Sequence, residues 1–258
     1  MAAHKDHPQK VALILQARMG SVRLPGKSMM DLHGAPLVGR ILERVKRCTR
    51  PDVIVLATST LACDDVLEEV SNDYDVPCFR GSEDDVLDRY YQASKVYDAD
   101  IVLRLPADNA TPEPSEIGRI IDYHIASGNA YSSNLAQVLN NGYPDGIGAE
   151  AISFWALEKI WKECHDPHWR EHPHLNFFDY DSQKIINPDV FKVGTVQCPQ
   201  EFRRPDVVLD VNTLDEYHFI YELYEYLYPR NPNFHITDTI KWYDEVYVPG
   251  KNRLLSEI

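Results

Sequence analysis

A cationic loop after the first apolar run carries the residues best suited to bind an anion. The segment QARMGSVRLPGKS, residues 16–28, contains Arg18, Arg23 and Lys27 together with two glycines. Two guanidinium groups and an ammonium group cannot all be buried without anionic partners. Glycine lets the backbone approach a ligand and offer N–H groups to oxyanions. The loop therefore suits a triphosphate, with arginine forks for phosphate oxygens and the lysine as a point charge.

Two common phosphate-binding motifs come close to this loop without matching it. A Walker loop has four residues between its glycines and opens directly into a helix. Here Gly20 and Gly26 enclose five residues, MMDLHGAP follows the loop, and the dinucleotide pattern GxGxxG is absent. Composition alone leaves open a solvated basic loop held by surface ion pairs.

Asp108, which follows the apolar run DIVLRL, is a candidate to hold a divalent cation. A second aspartate, Asp210, lies in VVLDV, which is predicted to be a strand. Mg²⁺ is commonly held by one or two carboxylates plus phosphate oxygens and water. Structural alternatives remain open: Asp108 as a turn residue, and Asp210 as a strand end or helix cap. The histidines in HDPHWREHPH, residues 165–174, fit no common zinc spacing, so a polar pocket wall or a surface loop is favoured there.

The elements that must position these residues alternate between strand and helix. Four short apolar runs in the first half of the chain are typical of buried parallel strands, and a helical segment follows each of them. Such units predict an open, mostly parallel sheet covered on both faces. Ligands bind these sheets at the carboxyl ends of the strands, so the four loops there are expected to share one crevice. The apolar runs are residues 11–15, 53–58, 76–79 and 100–105.

Length and charge restrict the class of protein. The 258 residues carry 26 Lys plus Arg against 40 Asp plus Glu, and this net charge of −14 argues against broad nucleic-acid binding. No apolar run approaches the about 20 residues of a membrane span, and no signal peptide is evident. The five dispersed cysteines indicate reduced thiols, so a cytoplasmic protein is expected. Without a linker, residues 1–258 are predicted to form one domain with a flexible N-terminus at residues 1–10.

The sequence QARMGSVRLPGK resembles the opening motif of the cytidylyltransferases that activate sugar acids. It is most similar to the branch called spore coat polysaccharide biosynthesis protein F, whose members are often labelled acylneuraminate cytidylyltransferases. The similarity continues in FRGSEDDVLDRYYQA, in REH and in LDVNTLDEY, and it covers nearly the whole chain after residue 10. It implies a nucleotide-diphospho-sugar transferase fold, which is α/β, GT-A-like and Rossmann-like.

The resemblance also implies a reaction. CMP would pass from CTP to a small acidic acceptor, either a sugar acid or a phosphorylated small molecule, with Mg²⁺ or Mn²⁺ and release of pyrophosphate. The pathway implied is surface polysaccharide or glycan synthesis, and relatives of this kind are often homodimers. Two alternatives stay open. One is a metal-dependent glycosyltransferase of the same fold, although Asp108-Asn109-Ala110 lacks the second acid of an Asp-x-Asp motif. The other is a non-catalytic nucleotide-binding homologue.

Specific residues inherit roles from the resemblance. Arg18, Lys27 and Asp108 are the catalytic candidates, and Asp108 and Asp210 are the metal ligands. Ser82 is also expected to cap the next helix, with Asp85 as the capping-box acid, while Arg80 and Arg89 either pair with acids or contact the ligand. The nucleotide-binding residues are Leu15, Gln16, Ala17, Arg18, Gly20, Ser21, Arg23, Lys27, Gly81, Ser82, Asp85, Val86 and Asp108. The acceptor candidates are Asn134, Tyr143, Asp145, Glu150, Arg170, Glu171 and His172, although GYPDGIGAE and ADNATP depart from the family pattern.

Overall fold

Strands and helices alternate through the first half of the chain in the computed structural model, which describes residues 8–250. The four predicted strand–helix units are confirmed. In chain order the elements are β1 (Val11–Gln16), α1 (Leu37–Val45), β2 (Val53–Ser59), α2 (Asp65–Asp73), β3 (Cys78–Gly81), α3 (Val86–Val96), β4 (Ile101–Pro106) and α4 (Pro114–Ser127).

The second half adds shorter strands and four helices. The elements are β5 (Tyr131–Ser133), β6 (Glu150–Ser153), α5 (Phe154–Glu163), α6 (Pro167–Glu171), β7 (Phe178–Asp179), β8 (Lys184–Ile185), β9 (Val193–Gly194), α7 (Leu214–Leu227) and α8 (Ile236–Trp242). Seven strands form one sheet in the order β3-β2-β1-β4-β6-β5-β9, and β7 pairs with β8 separately. Strand β6 runs antiparallel to both of its neighbours, and the other pairings in the large sheet are parallel. The predicted open, mostly parallel sheet is therefore confirmed.

Apolar side chains cover both faces of the sheet, because successive residues of a strand point to opposite faces. Leu13 and Leu15 of β1 belong to the core that includes residues of α1, α4 and α7. Ala12 and Ile14 belong to the core that includes residues of α3 and α5. Within residues 8–250, no helix is long and apolar enough to cross a membrane. The flexible terminus predicted at residues 1–10 falls mostly outside the described residues.

Two predicted strands differ from the structure. Residues 207–211 form no strand; they cross the sheet edge through isolated bridges that pair Asp210 with Asn109 and Val208 with Asp145. Their apolar character comes from buried side chains and not from strand pairing. Strand β3 begins at Cys78 and not at Val76, because the Val76 N–H bonds to a carbonyl of α2 at 2.9 Å.

Candidate nucleotide site

A cavity of about 380 Å³ lies at the carboxyl edge of the adjacent strands β1 and β4. Gln16 pairs with Pro106 in the sheet, so the loop after β1 and the turn after β4 leave side by side. The start of α3 and the end of α6 supply the remaining wall. Eight of the residues predicted to bind nucleotide line it: Gln16, Ala17, Arg18, Ser21, Arg23, Lys27, Val86 and Asp108.

The loop after β1 is shaped by a buried acid from the loop after β2. The Asp64 carboxylate is 1% exposed and accepts hydrogen bonds from the Met19 N–H at 2.7 Å and from the Ser59 hydroxyl at 2.5 Å. Burial alone would raise the pKa of Asp64, but these hydrogen bonds hold it below its usual range. The loop closes at Gly26, whose φ of 74° favours glycine and whose N–H bonds to the Met19 carbonyl at 3.0 Å.

The two loop arginines already have polar partners. Arg18 forms an ion pair with Glu171 at 3.0 Å across the cavity. Arg23 donates to the Asn212 side-chain oxygen at 2.6 Å. A triphosphate bound in the loop would compete with these partners for the guanidinium groups.

Lys27 connects the loop to the acids at the sheet edge. Its ammonium group donates to the Val211 carbonyl at 2.7 Å and to Asp108 at 3.2 Å. Its side chain is only 12% exposed, so this loop lysine is largely buried in the free protein. The reason is the segment 207–211, which brings a carbonyl and an acidic cluster under the loop.

Asp108, Asp145 and Asp210 form that acidic cluster. Burial, together with the charges of Asp145 and Asp108, raises the pKa of Asp210 to about 7. Burial also raises the pKa of Asp145, and the charge of Asp108 adds to the shift. Asp145, an acceptor candidate from sequence, thus lies with the two predicted metal ligands.

Two carboxylates of this cluster, those of Asp108 and Asp210, fit a hard cation. One oxygen of Asp210, Oδ1, is buried without a hydrogen-bond partner, while Oδ2 accepts from Asn212 at 2.5 Å. Carboxylate oxygens are the ligands that Mg²⁺ and Mn²⁺ prefer. Within residues 8–250, no group of three or more His, Cys, Asp or Glu side chains is placed to hold a metal ion. Two carboxylates would therefore need phosphate oxygens and water to complete a coordination shell.

The start of α3 stands mostly behind the cavity wall. The cap of this helix is Asp85, which accepts from the Asp88 N–H at 2.9 Å, so the prediction of a Ser82 cap is wrong. Ser82 instead accepts from the Asp85 N–H at 3.1 Å, which places the helix start three residues later. Arg170 of α6 binds the same Asp85 carboxylate at 2.7 Å. Val86 reaches the cavity, whereas Gly81, Ser82 and Asp85 do not line it.

Other predicted residues support the wall from behind. Leu15 is fully buried in the core, and Gly20 lies against Glu83. Arg80 pairs with acids of α2, which is one of the two roles expected for it from the sequence. Arg89 is fully buried and donates to the carbonyls of residues 82 and 83, both at 2.8 Å, which fixes the turn before α3.

The six acceptor candidates other than Asp145 divide into three groups. Asn134 and Tyr143 lie away from the cavity, where Asn134 bonds to backbone groups and Tyr143 donates to Glu116. Glu150 is fully buried and pairs with Arg104, and Arg170 binds the α3 cap. Glu171 and His172 line the cavity.

The predicted polar wall is partly present at the histidine-rich segment. The His168 and His172 rings lie 4.8 Å apart, and those of His172 and His174 lie 6.0 Å apart. Burial lowers the pKa of His174 to about 4, so this side chain is neutral near pH 7. His172 therefore faces the cavity from a cluster of rings, and the described residues contain no metal-binding group there.

Sequence reasoning missed five lining residues. Arg104 had a detectable signal, because an arginine inside the apolar run DIVLRL must be paired or functional. The other four have no distinguishing residue type, and only their position beside the loop reveals them. The five residues are Val22, Ser28, Arg104, Pro106 and Ala107.

A mostly parallel sheet with a cationic loop and clustered acids at its carboxyl edge is typical of α/β nucleotide-binding proteins. The family model described as cytidylyltransferase matches residues 12–143, just over half of the chain. The chain belongs to the cytidylyltransferase family and is a nucleotidyltransferase.

Relatives and one solved structure agree with this assignment. The chain is 30% identical over 220 residues to spore coat polysaccharide biosynthesis protein SpsF of Bacillus subtilis, covering 83% of this chain and 86% of that protein. It is 31% identical over 134 residues to 3-deoxy-manno-octulosonate cytidylyltransferase of Anaeromyxobacter dehalogenans, covering 51% and 53%. A cytidylyltransferase structure from Leptospira borgpetersenii has a TM-score of 0.82 and 26% identity, covering 92% of this chain and 95% of that one.

Proposed function

We propose that this enzyme transfers CMP from Mg²⁺-bound CTP to a sugar acid, with release of pyrophosphate. The observation that carries the proposal is Lys27, which joins the cationic loop to Asp108 at the sheet edge. Positive groups for a triphosphate therefore line one cavity together with Asp108, whereas Asp210 does not line it. The similarity to a 3-deoxy-manno-octulosonate cytidylyltransferase and to a polysaccharide biosynthesis protein supports the acceptor class.

In the proposed reaction, an acceptor oxygen attacks the α-phosphorus of CTP in line, and the bond to pyrophosphate breaks. Arg18, Arg23 and Lys27 bind the triphosphate and stabilise negative charge as pyrophosphate leaves. Asp108 and Asp210 would hold Mg²⁺, or Mn²⁺ in its place, which neutralises phosphate charge when bound. We also propose that the enzyme acts in surface polysaccharide or glycan synthesis, is located in the cytoplasm and forms a homodimer.

A pyrophosphate-release screen tests this function. The protein is incubated with Mg²⁺ and each of CTP, ATP, GTP and UTP, against sugar acids and phosphorylated small molecules. The expected result is pyrophosphate release with CTP and at least one sugar acid, and none without an acceptor. In a parallel incubation with nucleotide sugars, release of a free nucleoside diphosphate would instead indicate a glycosyltransferase. CTP binding without turnover across the panel would contradict the proposal.

A further inference from the structure

Arg104 is a buried arginine that lines the cavity although the triphosphate site does not need it. It lies on β4, is 7% exposed and belongs to the wall shared with Glu171 and His172. The loop cations follow the end of β1 and Asp108 follows the end of β4, whereas Arg104 lies within β4. Its position therefore differs from that of the groups proposed to bind phosphates.

Glu150 fixes one part of the Arg104 guanidinium. The two residues are direct partners across the antiparallel strands β4 and β6, and Arg104 Nη1 donates to Glu150 Oε2. Glu150 is fully buried, and its other oxygen accepts from the Tyr131 hydroxyl at 2.5 Å. The charge of Glu150 is thus satisfied on both oxygens, and the guanidinium is held in one orientation.

The opposite edge of the guanidinium is free. Nε is buried without a hydrogen-bond partner, and within residues 8–250 the only side-chain hydrogen bond from Arg104 is that of Nη1. The Nε and Nη2 groups of an arginine form a planar fork that matches the two oxygens of a carboxylate. An unsatisfied buried donor costs free energy that a bound anion would recover.

A purely structural role explains this geometry less well. Strands β4 and β6 are already joined by backbone pairing over four residue pairs. A buried ion pair adds little net stability compared with apolar side chains of similar size. A purely structural ion pair with Glu150 would also give no reason for Arg104 to line a cavity with its Nε and Nη2 groups unpaired.

We propose that the free edge of Arg104 binds the carboxylate of the acceptor sugar acid, and that Glu150 is the positioning residue that holds this edge toward the cavity. The inference rests on the proposed function and deepens it by assigning the acceptor end of the cavity. A singly charged, planar carboxylate fits one guanidinium whose charge is already shared with Glu150. A phosphate dianion would fit the three cations of the loop better.

The test compares acids with their neutral analogues by calorimetry. The probes are 3-deoxy-manno-octulosonate and N-acetylneuraminate, each paired with its C1 carboxamide, with and without Mg²⁺ and the unreactive analogue α,β-methylene-CTP. The wild type is expected to bind at least one acid about tenfold or more tightly than its amide, and Arg104→Met to lose this difference. Arg119→Met is the matched control, because Arg119 also pairs with a glutamate but lies outside the cavity wall.

Second variants keep the result interpretable if Arg104→Met does not fold. Arg104→Lys keeps the charge without the fork, and Glu150→Gln removes the orienting charge. In turnover assays both should raise the acceptor KM and leave the CTP KM unchanged. The proposal is overturned if no acid binds better than its amide, or if the Arg104 variants keep the preference. If the wild type does not bind the CTP analogue, the proposed function is contradicted. The role of Arg104 is still tested in that case, because the acid–amide comparison is also made without nucleotide.

Discussion

At the scale of single residues, Lys27 has two roles. In the free protein its ammonium group stabilises an acidic cluster, since it lies 3.2 Å from Asp108, which is coupled to Asp210 and Asp145. In the proposed complex the same group binds phosphate oxygens. When the triphosphate binds, Lys27 must therefore leave its carboxylate and carbonyl partners and contact phosphate oxygens. The metal ion would then neutralise the acidic cluster in place of Lys27.

Replacing Lys27 should impair catalysis through the lost contact to phosphate. A lost charge-assisted contact to phosphate costs about 1.5–3 kcal/mol, and about 1.4 kcal/mol is tenfold in rate. Lys27→Ala is therefore expected to reduce kcat/KM by at least about tenfold in the pyrophosphate assay. The exposed Lys184→Ala is the control and should match the wild type. Unchanged turnover in Lys27→Ala would contradict the triphosphate site.

Asp108→Asn separates a metal ligand from a turn residue. The substitution keeps size and hydrogen bonding but removes the charge that a hard cation requires. CTP binding should survive in part, turnover should fall by more than about a hundredfold, and added Mg²⁺ should restore activity only partly. Asparagine favours the same turn conformations, so full activity of Asp108→Asn at ordinary Mg²⁺ would show that the carboxylate holds no metal.

For single residues, the sequence predicted a shared site where the residues are close together in the chain. The cations and glycines of residues 16–28 are close in the chain, so their shared site could be inferred from spacing. The position of Asp145 could not, because it depends on a bridge to Val208 more than 60 residues away. Arg104 was detectable as a charge in an apolar strand, but its fork became evident only from the pairing of β4 with β6.

At the scale of elements, α6 is attached to the start of α3 by one shared carboxylate. Asp85 caps α3 and also accepts from Arg170, with the two side chains 31% and 18% exposed. This contact places Glu171 and His172 against the cavity. The four strand–helix units of the first half followed from periodicity, whereas this contact between distant parts of the chain has no sequence pattern.

A double-mutant cycle tests that attachment. Asp85→Asn keeps the helix cap and removes the ion pair, and Arg170→Gln removes its partner. Because the pair is partly exposed, a coupling of about 1 kcal/mol is expected in urea unfolding. The same variants should raise the acceptor KM through displacement of α6. Additive effects on both quantities would mean that the helix is held by other contacts.

The attachment of α4 to the sheet predicts a pH dependence. Burial lowers the pKa of His124 to about 4, and its ring nitrogens lie 3.0 Å from the hydroxyls of Ser132 and Ser153. In the unfolded chain a histidine has a pKa of about 6.5, so below this pH the unfolded state binds the proton first. The stability contribution of neutral His124 is therefore complete above pH about 6.5 and is lost as the pH falls toward about 4, by roughly 3 kcal/mol.

Unfolding curves between pH 8 and pH 4 measure this effect. His124→Gln should lose less free energy of unfolding on acidification than the wild type, after correction for its offset at pH 8. The exposed His218→Gln is the control and should follow the wild-type curve. Equal pH slopes for wild type and His124→Gln would contradict a neutral buried ring.

At the scale of the whole molecule, a net charge of −14 surrounds a cavity with a cationic loop. The acidic surface disfavours long polyanions, and the local cations suit one nucleotide. The α/β class and the strand–helix alternation followed from the first half of the sequence. The bridging segment 207–211 and the antiparallel β6 depend on long-range pairing, which local patterns do not encode.

Transfer of the α-phosphate is the central claim, and an isotope experiment tests it most directly. The protein is incubated with Mg²⁺, a sugar acid found in the screen, and CTP labelled at its α-phosphorus. We expect the label to appear in a covalent CMP–sugar acid product, with one unlabelled pyrophosphate released per product formed. An unlabelled acceptor, with all label remaining in CTP or in free CMP or CDP, would contradict the account.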